Sequence, residues 1–97
     1  MAFGYYIVEI DVKKPEMMPR YRELVGPTLA TFGGEILAAS NTVSHLQGAP
    51  APLPRVVVIR FPSYQRALDW FHSDDYAEAL AIRDQACISR AIVVEGL

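Results

Sequence analysis

The stretch Arg55-Val56-Val57-Val58-Ile59-Arg60-Phe61-Pro62-Ser63 constrains this chain more than any other. It holds five apolar β-formers, with one arginine before the run and one inside it. Pro62-Ser63 then stops the run and opens a helix. A run of this kind reads as a strand in the middle of a sheet, buried on both faces.

The other elements arrange themselves around that strand. Gly4 to Val12 reads as a first strand, with Tyr6, Val8, Ile10 and Val12 facing helices. Tyr5, Ile7, Glu9 and Asp11 form its other face, which turns acidic along its length. A helix starts near Pro15 or Pro19, with Met17, Tyr21, Leu24 and Val25 at helical spacing. Gly26-Pro27 predicts a kink or a split into two short helices, because an interior proline costs about 3 kcal/mol. Gly33-Gly34 ends that helix by supplying a positive φ. Glu35 to Ala39 is a short strand, Ser40-Asn41 a bulge or bend, and Thr42 to Leu46 an extended continuation. Gln47 to Pro54 is too rich in proline for anything but a hairpin loop. Ser63 caps a second helix with a stripe of Tyr64, Ala67, Leu68 and Phe71, and Trp70 beside it. His72-Ser73-Asp74-Asp75 breaks it and caps a third piece, on which Tyr76, Leu80, Arg83 and Cys87 share about 60° of the helical wheel. Ala91 to Glu95 is the last strand.

The order β-α-β-β-α-β predicts an α+β, ferredoxin-like domain over residues 1–97. Its four-stranded antiparallel sheet carries helices on one face only. Alternation assigns Tyr5, Ile7, Glu9, Asp11, Val56, Val58, Arg60, Ala91, Val93 and Glu95 to the uncovered face. That face is too apolar to stay wet. The hydrophobic fraction, 52%, points the same way. Both predict a homodimer packed through the open sheet face.

Charge narrows the partners. A net charge of −2 and a pI near 5.6 give no basic footprint for phosphate backbones. The central strand offers valines where an RNA-binding sheet would carry stacking aromatics. No stretch approaches the ~20 apolar residues of a membrane span. The N-terminus has neither the cationic start nor the apolar core of a signal peptide, and Cys87 has no intrachain partner. The expectation is a soluble, cytoplasmic protein that binds neither nucleic acid nor membrane.

Several fragments together resemble one family: Gly4-Tyr5-Tyr6-Ile7 with Asp11, Tyr21, Phe32-Gly33-Gly34, Val57 to Ser63, Trp70 to Tyr76, Arg83 and Val94-Glu95-Gly96. The ordered set is similar to the domain of unknown function DUF1330 over nearly the whole chain. The resemblance implies a ferredoxin-like fold and a dimeric α/β-barrel assembly. Its superfamily includes cofactor-independent monooxygenases, muconolactone isomerase-like proteins and haem-dependent peroxidases. Two positions depart from the family pattern. Ala39, before Ser40-Asn41, stands where an arginine is usual, and Gln47-Gly48 stands where Glu-Gly is usual. If that Arg and Glu form a charged site, it is altered here.

Arg83 is the leading site candidate. A guanidinium cannot be neutralised, so it requires an acidic partner or a ligand anion. One reading has it anchor a carboxylate, with Tyr76 donating a hydrogen bond and Arg60, Trp70 and Tyr5 completing a ligand-binding set. The other is structural: a snorkelling arginine, or one paired with Asp74, Asp75 or a carboxylate of the sheet. His72 and Glu9 are the candidate general bases, set against capping for His72 and an ion-pair network around Arg60 for Glu9. His45 is the only other imidazole. No cluster has metal-ligand spacing, and no cofactor or metal is expected. Cys87 reads as a buried thiol rather than a nucleophile. Three functions remain open. The first is a dimeric module binding a small, partly apolar acid. The second is a monooxygenase- or isomerase-like enzyme with aromatic walls. The third is a structural dimer without a pocket.

Overall fold

The computed structural model describes residues 2–97. Strand β1, Gly4–Val12, is followed by a 3₁₀ turn over Pro15–Met17 and helix α1, Met18–Phe32. Edge strand β2, Glu35–Ser40, leads through a long irregular loop, residues 41–54, to β3, Arg55–Phe61. Helices α2, Tyr64–Phe71, and α3, Asp74–Ala86, precede β4, Cys87–Glu95. The sheet order is β2-β3-β1-β4, with every pairing antiparallel. This is the ferredoxin-like α+β arrangement, with the second helix in two pieces.

The β1–β3 register pairs Tyr6 with Ile59 and Val8 with Val57, which sends those four side chains to the helices. It pairs Tyr5 with Arg60, Ile7 with Val58 and Glu9 with Val56 on the open face. Both strands therefore lie as the alternation predicts. The last strand does not. It begins at Cys87, four residues before the expected Ala91, because α3 stops at Ala86, whose carbonyl accepts the Lys13 and Lys14 N–H groups at 2.8 and 2.9 Å. Its register sets Val94 opposite Tyr5, Ile92 opposite Ile7, Arg90 opposite Glu9 and Ile88 opposite Asp11. Ala91, Val93 and Glu95 thus share the helix-side face, and Ile88, Arg90, Ile92 and Val94 the open one. Ala91-Ile92-Val93-Val94 is apolar at every position, so the run carries no parity, and a one-residue error reverses every side chain.

Helix α1 is continuous through Gly26-Pro27, against the expected kink or split. Glu23, whose carbonyl Pro27 cannot engage, and Pro27 itself are both exposed, so water can serve the freed group. Thr28 and Thr31 hydroxyls donate to the Val25 and Pro27 carbonyls at 2.7 and 3.1 Å. Gly33 ends the helix at φ 76°, as expected. The bulge in β2 falls between Ile36 and Ala38 rather than at Ser40-Asn41. Thr42 to Leu46 lies in no strand, because the Ser40 Oγ accepts from the Thr42 N–H at 2.9 Å and turns the chain away.

The core is an aromatic cluster around Trp70, fully buried between Tyr6 and Phe61, with ring centroids 5.0 and 5.2 Å away, and Tyr76 at 4.1 Å. The buried face of α2 consists of Ala67 and Trp70, whereas Tyr64 is exposed. Ser63 and Ser73 cap α2 and α3 by accepting from the Arg66 and Tyr76 N–H groups at 3.0 and 3.1 Å.

Candidate functional site

Strand alternation and one helical stripe build a cavity between sheet and helix. From β1 come Tyr6, Val8, Ile10 and Val12, and from β3 Arg55, Val57 and Ile59. From α1 come Met18, Tyr21, Arg22, Val25 and Leu29, at the i, i+3, i+4, i+7, i+11 positions of one helical face. Ile36 and Ala39 complete the wall from β2. The cavity measures about 510 Å³. Arg22, Ile36 and Ala39 are exposed, so it opens between α1 and the β2 edge. Ala39 gives that wall only a methyl group.

The polar end of the cavity belongs to Arg83, from α3. It is 3% exposed. One guanidinium nitrogen donates to the Tyr6 hydroxyl at 2.6 Å, and Nε has no partner. No Asp or Glu among the described residues pairs with it, so of the alternatives the pairing with Asp74, Asp75 or a sheet carboxylate does not form. Burial opposes its charge, and the hydrogen bond to the Tyr6 hydroxyl offsets this only in part. Burial raises the pKa of the Tyr6 and Tyr76 phenols above the ordinary tyrosine value, against the pull of Arg83 on both, which keeps them neutral donors at physiological pH. The Tyr76 hydroxyl is 2.9 Å from that of Tyr21, and Tyr21, not Tyr76, lines the cavity.

The remaining candidates separate. Trp70 lies in the core outside the cavity lining, its indole N–H donating to the Thr28 hydroxyl at 3.0 Å. Tyr5 and Arg60 lie on the opposite sheet face, where Arg60 pairs with Glu35 at 2.7 Å and stacks over the Phe3 ring. They therefore cannot share a site with Arg83. His72 is exposed at the end of α2, edge-on to Phe71, and lines no cavity described here. Glu9 is on the open face, paired with Arg90 at 2.7 Å and accepting from the Leu53 N–H at 2.9 Å. Those two contacts, Arg90's first, hold its pKa below the ordinary value, the opposite of what a base at neutral pH requires. Its ion-pair partner is Arg90 rather than Arg60, a consequence of the β4 register.

A shallower cleft of about 350 Å³ lies over Glu9 and Arg90, under the 41–54 loop. His45 and Gln47 line it, and the His45 imidazole is 2.6 Å from the Gly48 carbonyl. Cys87 begins β4, buried, and its thiol contacts the Met18 sulfur at 3.8 Å. Burial raises its pKa. Among the described residues no three His, Cys, Asp or Glu side chains gather as metal ligands would.

Sequence reasoning passes over Arg22 and Arg55. Arg22 follows Tyr21 on the apolar stripe, and Arg55 keeps step with Val57 and Ile59, so spacing alone would have found both.

Fold and cavity together define a ferredoxin-like α+β domain with a guanidinium at the end of an apolar cleft. A sequence-family profile, Domain of unknown function (DUF1330), matches residues 3–97, and the chain belongs to that family. Among solved structures it is similar to a protein of unknown function from Rhodopseudomonas palustris, at 20% identity and TM-score 0.74, covering 99% of this chain and 83% of that one. It is also similar to a dimeric ferredoxin-like protein of unknown function from Jannaschia sp., at 14% identity and TM-score 0.65, with 96% of each chain covered. SnoaB, a cofactor-independent oxygenase from Streptomyces nogalater, matches at 8% identity and TM-score 0.60, covering 97% of this chain and 92% of that one. At these identities the likeness is one of fold. No curated protein matches the chain. No described helix is long and apolar enough to cross a membrane.

Proposed function

We propose that this protein is a homodimeric module that binds a small, partly apolar acid between sheet and helices, with the carboxylate on Arg83. One observation carries the reading: Arg83 is buried at the wall of an apolar cavity with a hydrogen bond to Tyr6 and no carboxylate partner among the described residues. A lone buried guanidinium costs several kcal/mol, and a carboxylate is the partner its donor fork matches. The Tyr6 and Tyr21 hydroxyls offer further donors beside it. The aliphatic lining suits a hydrocarbon body of modest length.

The competing reading is a cofactor-independent oxygenase or an isomerase, in the manner of SnoaB. It calls for a base aimed into the cavity. The titratable groups of the wall are arginines and tyrosines, with His72 and Glu9 both elsewhere. The balance favours binding.

Dimerisation is supported by the open face. Ile88, Ile92 and Val94 are exposed there, Ile92 at 62%, beside Ile7 and Val58 of neighbouring strands. Two copies packed sheet to sheet would cover them, as the dimeric description of the Jannaschia protein suggests. A cytoplasmic location rests on the sequence reading.

The test is a thermal-shift and NMR titration with octanoate, benzoate and related monoacids on the native chain and Arg83→Met. Binding that falls at least about tenfold in a folded variant supports the proposal, since a charged hydrogen-bonded pair is worth more than ~1.4 kcal/mol. No binding by any acid, or equal binding by both chains, would refute it.

A further inference from the structure

The cavity holds more positive charge than one carboxylate needs. Arg22, Arg55 and Arg83 all line it, and no aspartate, glutamate or histidine does. None of the three makes an ion pair among the described residues, whereas Arg20, Arg60 and Arg90 each do. Arg55 donates only to the neutral Asn41 amide oxygen, at 2.8 Å. A chain with net charge −2 thus gathers three arginines lacking carboxylate partners around one apolar cleft.

Their placement is polarised. Arg83 is buried at the Tyr6 hydroxyl, whereas Arg22 is exposed and Arg55 half-buried at the rim. Tyr6 pairs with Ile59 and Ile10 with Arg55, so these two backbone positions are four residues apart along β1. That is roughly 13 Å of strand. Between them Val8, Val57 and Ile59 supply apolar wall.

We propose that the natural ligand is a dianion: an aliphatic acid with a second anionic group at its far end. This inference rests on the acid-binding reading above. The inner carboxylate sits on Arg83 and Tyr6, the hydrocarbon segment crosses the valine and isoleucine wall, and the outer anion meets Arg22 and Arg55. A monoacid satisfies only the first of these. A free far-end carboxylate would otherwise be penalised beside apolar side chains, so the two rim arginines set specificity as well as affinity.

The experiment compares octanoate with octanedioate by calorimetry or NMR, at about 50 mM salt to limit screening. The native chain should bind octanedioate roughly two- to fivefold tighter, the gain from about one added charge contact at the exposed rim. In an Arg22→Gln/Arg55→Gln double variant, with folding checked by circular dichroism, that preference should vanish or invert. Octanoate binding without a preference for octanedioate overturns the dianion alone, as does a preference that survives the double variant. Binding of neither acid overturns the acid-binding reading and the dianion with it.

Discussion

Replacing Arg83 by methionine keeps a long flexible stem and removes the charge, which separates a ligand anchor from a structural arginine. The native side chain is buried, makes one hydrogen bond to Tyr6 and leaves Nε without a partner. Losing a hydrogen bond to a charged group costs about 1.5–3 kcal/mol, and the orphaned Tyr6 hydroxyl about 1–3 more. Against this, burying an unpaired cation costs several kcal/mol after relaxation, a penalty the variant escapes. The terms nearly cancel, so the ligand-free variant should lie within about 2 kcal/mol of the native chain. For a domain of 97 residues, each kcal/mol moves the Tm by about 4–8 °C. Adding Tyr6→Phe removes the orphaned hydroxyl and should return about 1 kcal/mol. Urea unfolding followed by circular dichroism, at fixed protein concentration, reads both numbers. A loss above about 4 kcal/mol in Arg83→Met, unrelieved by Tyr6→Phe, would refute the reasoning, because it would make the arginine a structural tie.

Gly4→Ala should destabilise by about 2 kcal/mol or more, since a Cβ there runs into the backbone of Ser63 and Tyr64, and backbone cannot move aside as a side chain can; a lower urea midpoint checks it. Ile92→Asp, on the open sheet face, should reduce the mass measured by light scattering at micromolar concentration from two chains to one, and a dimer that survives would move the interface elsewhere. Glu9 has a lowered folded-state pKa, so its contribution to stability is present above its ordinary pKa of 4.5 and is lost as pH falls through the folded value. Glu9→Gln should therefore lower stability slightly in the neutral region and converge on the native chain as pH falls, which flattens the acid limb of the stability–pH curve.

The strands β1 and β3 were legible because polar residues mark their phase. Glu9 and Asp11 on one and Arg60 on the other fix which side chains leave the core. The run Ala91 to Val94 offers no such marker, Arg90 lies just before the expected start, and the face assigned from that start is the wrong one. The helical spacing of Tyr76, Leu80 and Arg83 correctly sets that arginine inward. What spacing cannot reveal is the lack of a carboxylate opposite it, because that depends on which residues of three other elements come near. Trp70 illustrates the limit from another side. An aromatic next to a polar turn reads equally well as a pocket wall or a core anchor. Only the partners of its ring and of its indole N–H, Tyr6, Phe61, Tyr76 and Thr28, decide for the core.

The bulge in β2 sets a hierarchy of motion around the cavity. Strand β1 is bonded on both edges, so its amides between Tyr6 and Ile10 should exchange with solvent only when the whole domain opens. Strand β2 is bonded on one edge, is interrupted at Leu37, and exposes every side chain from Glu35 to Ala39. Its amides should exchange by local fraying, long before the rest. Because Ile36 and Ala39 are also wall residues, the cleft has one side that can breathe at little cost and another that cannot. Entry and exit of a bound molecule would then keep time with the fraying of one short strand rather than with any movement of the helices.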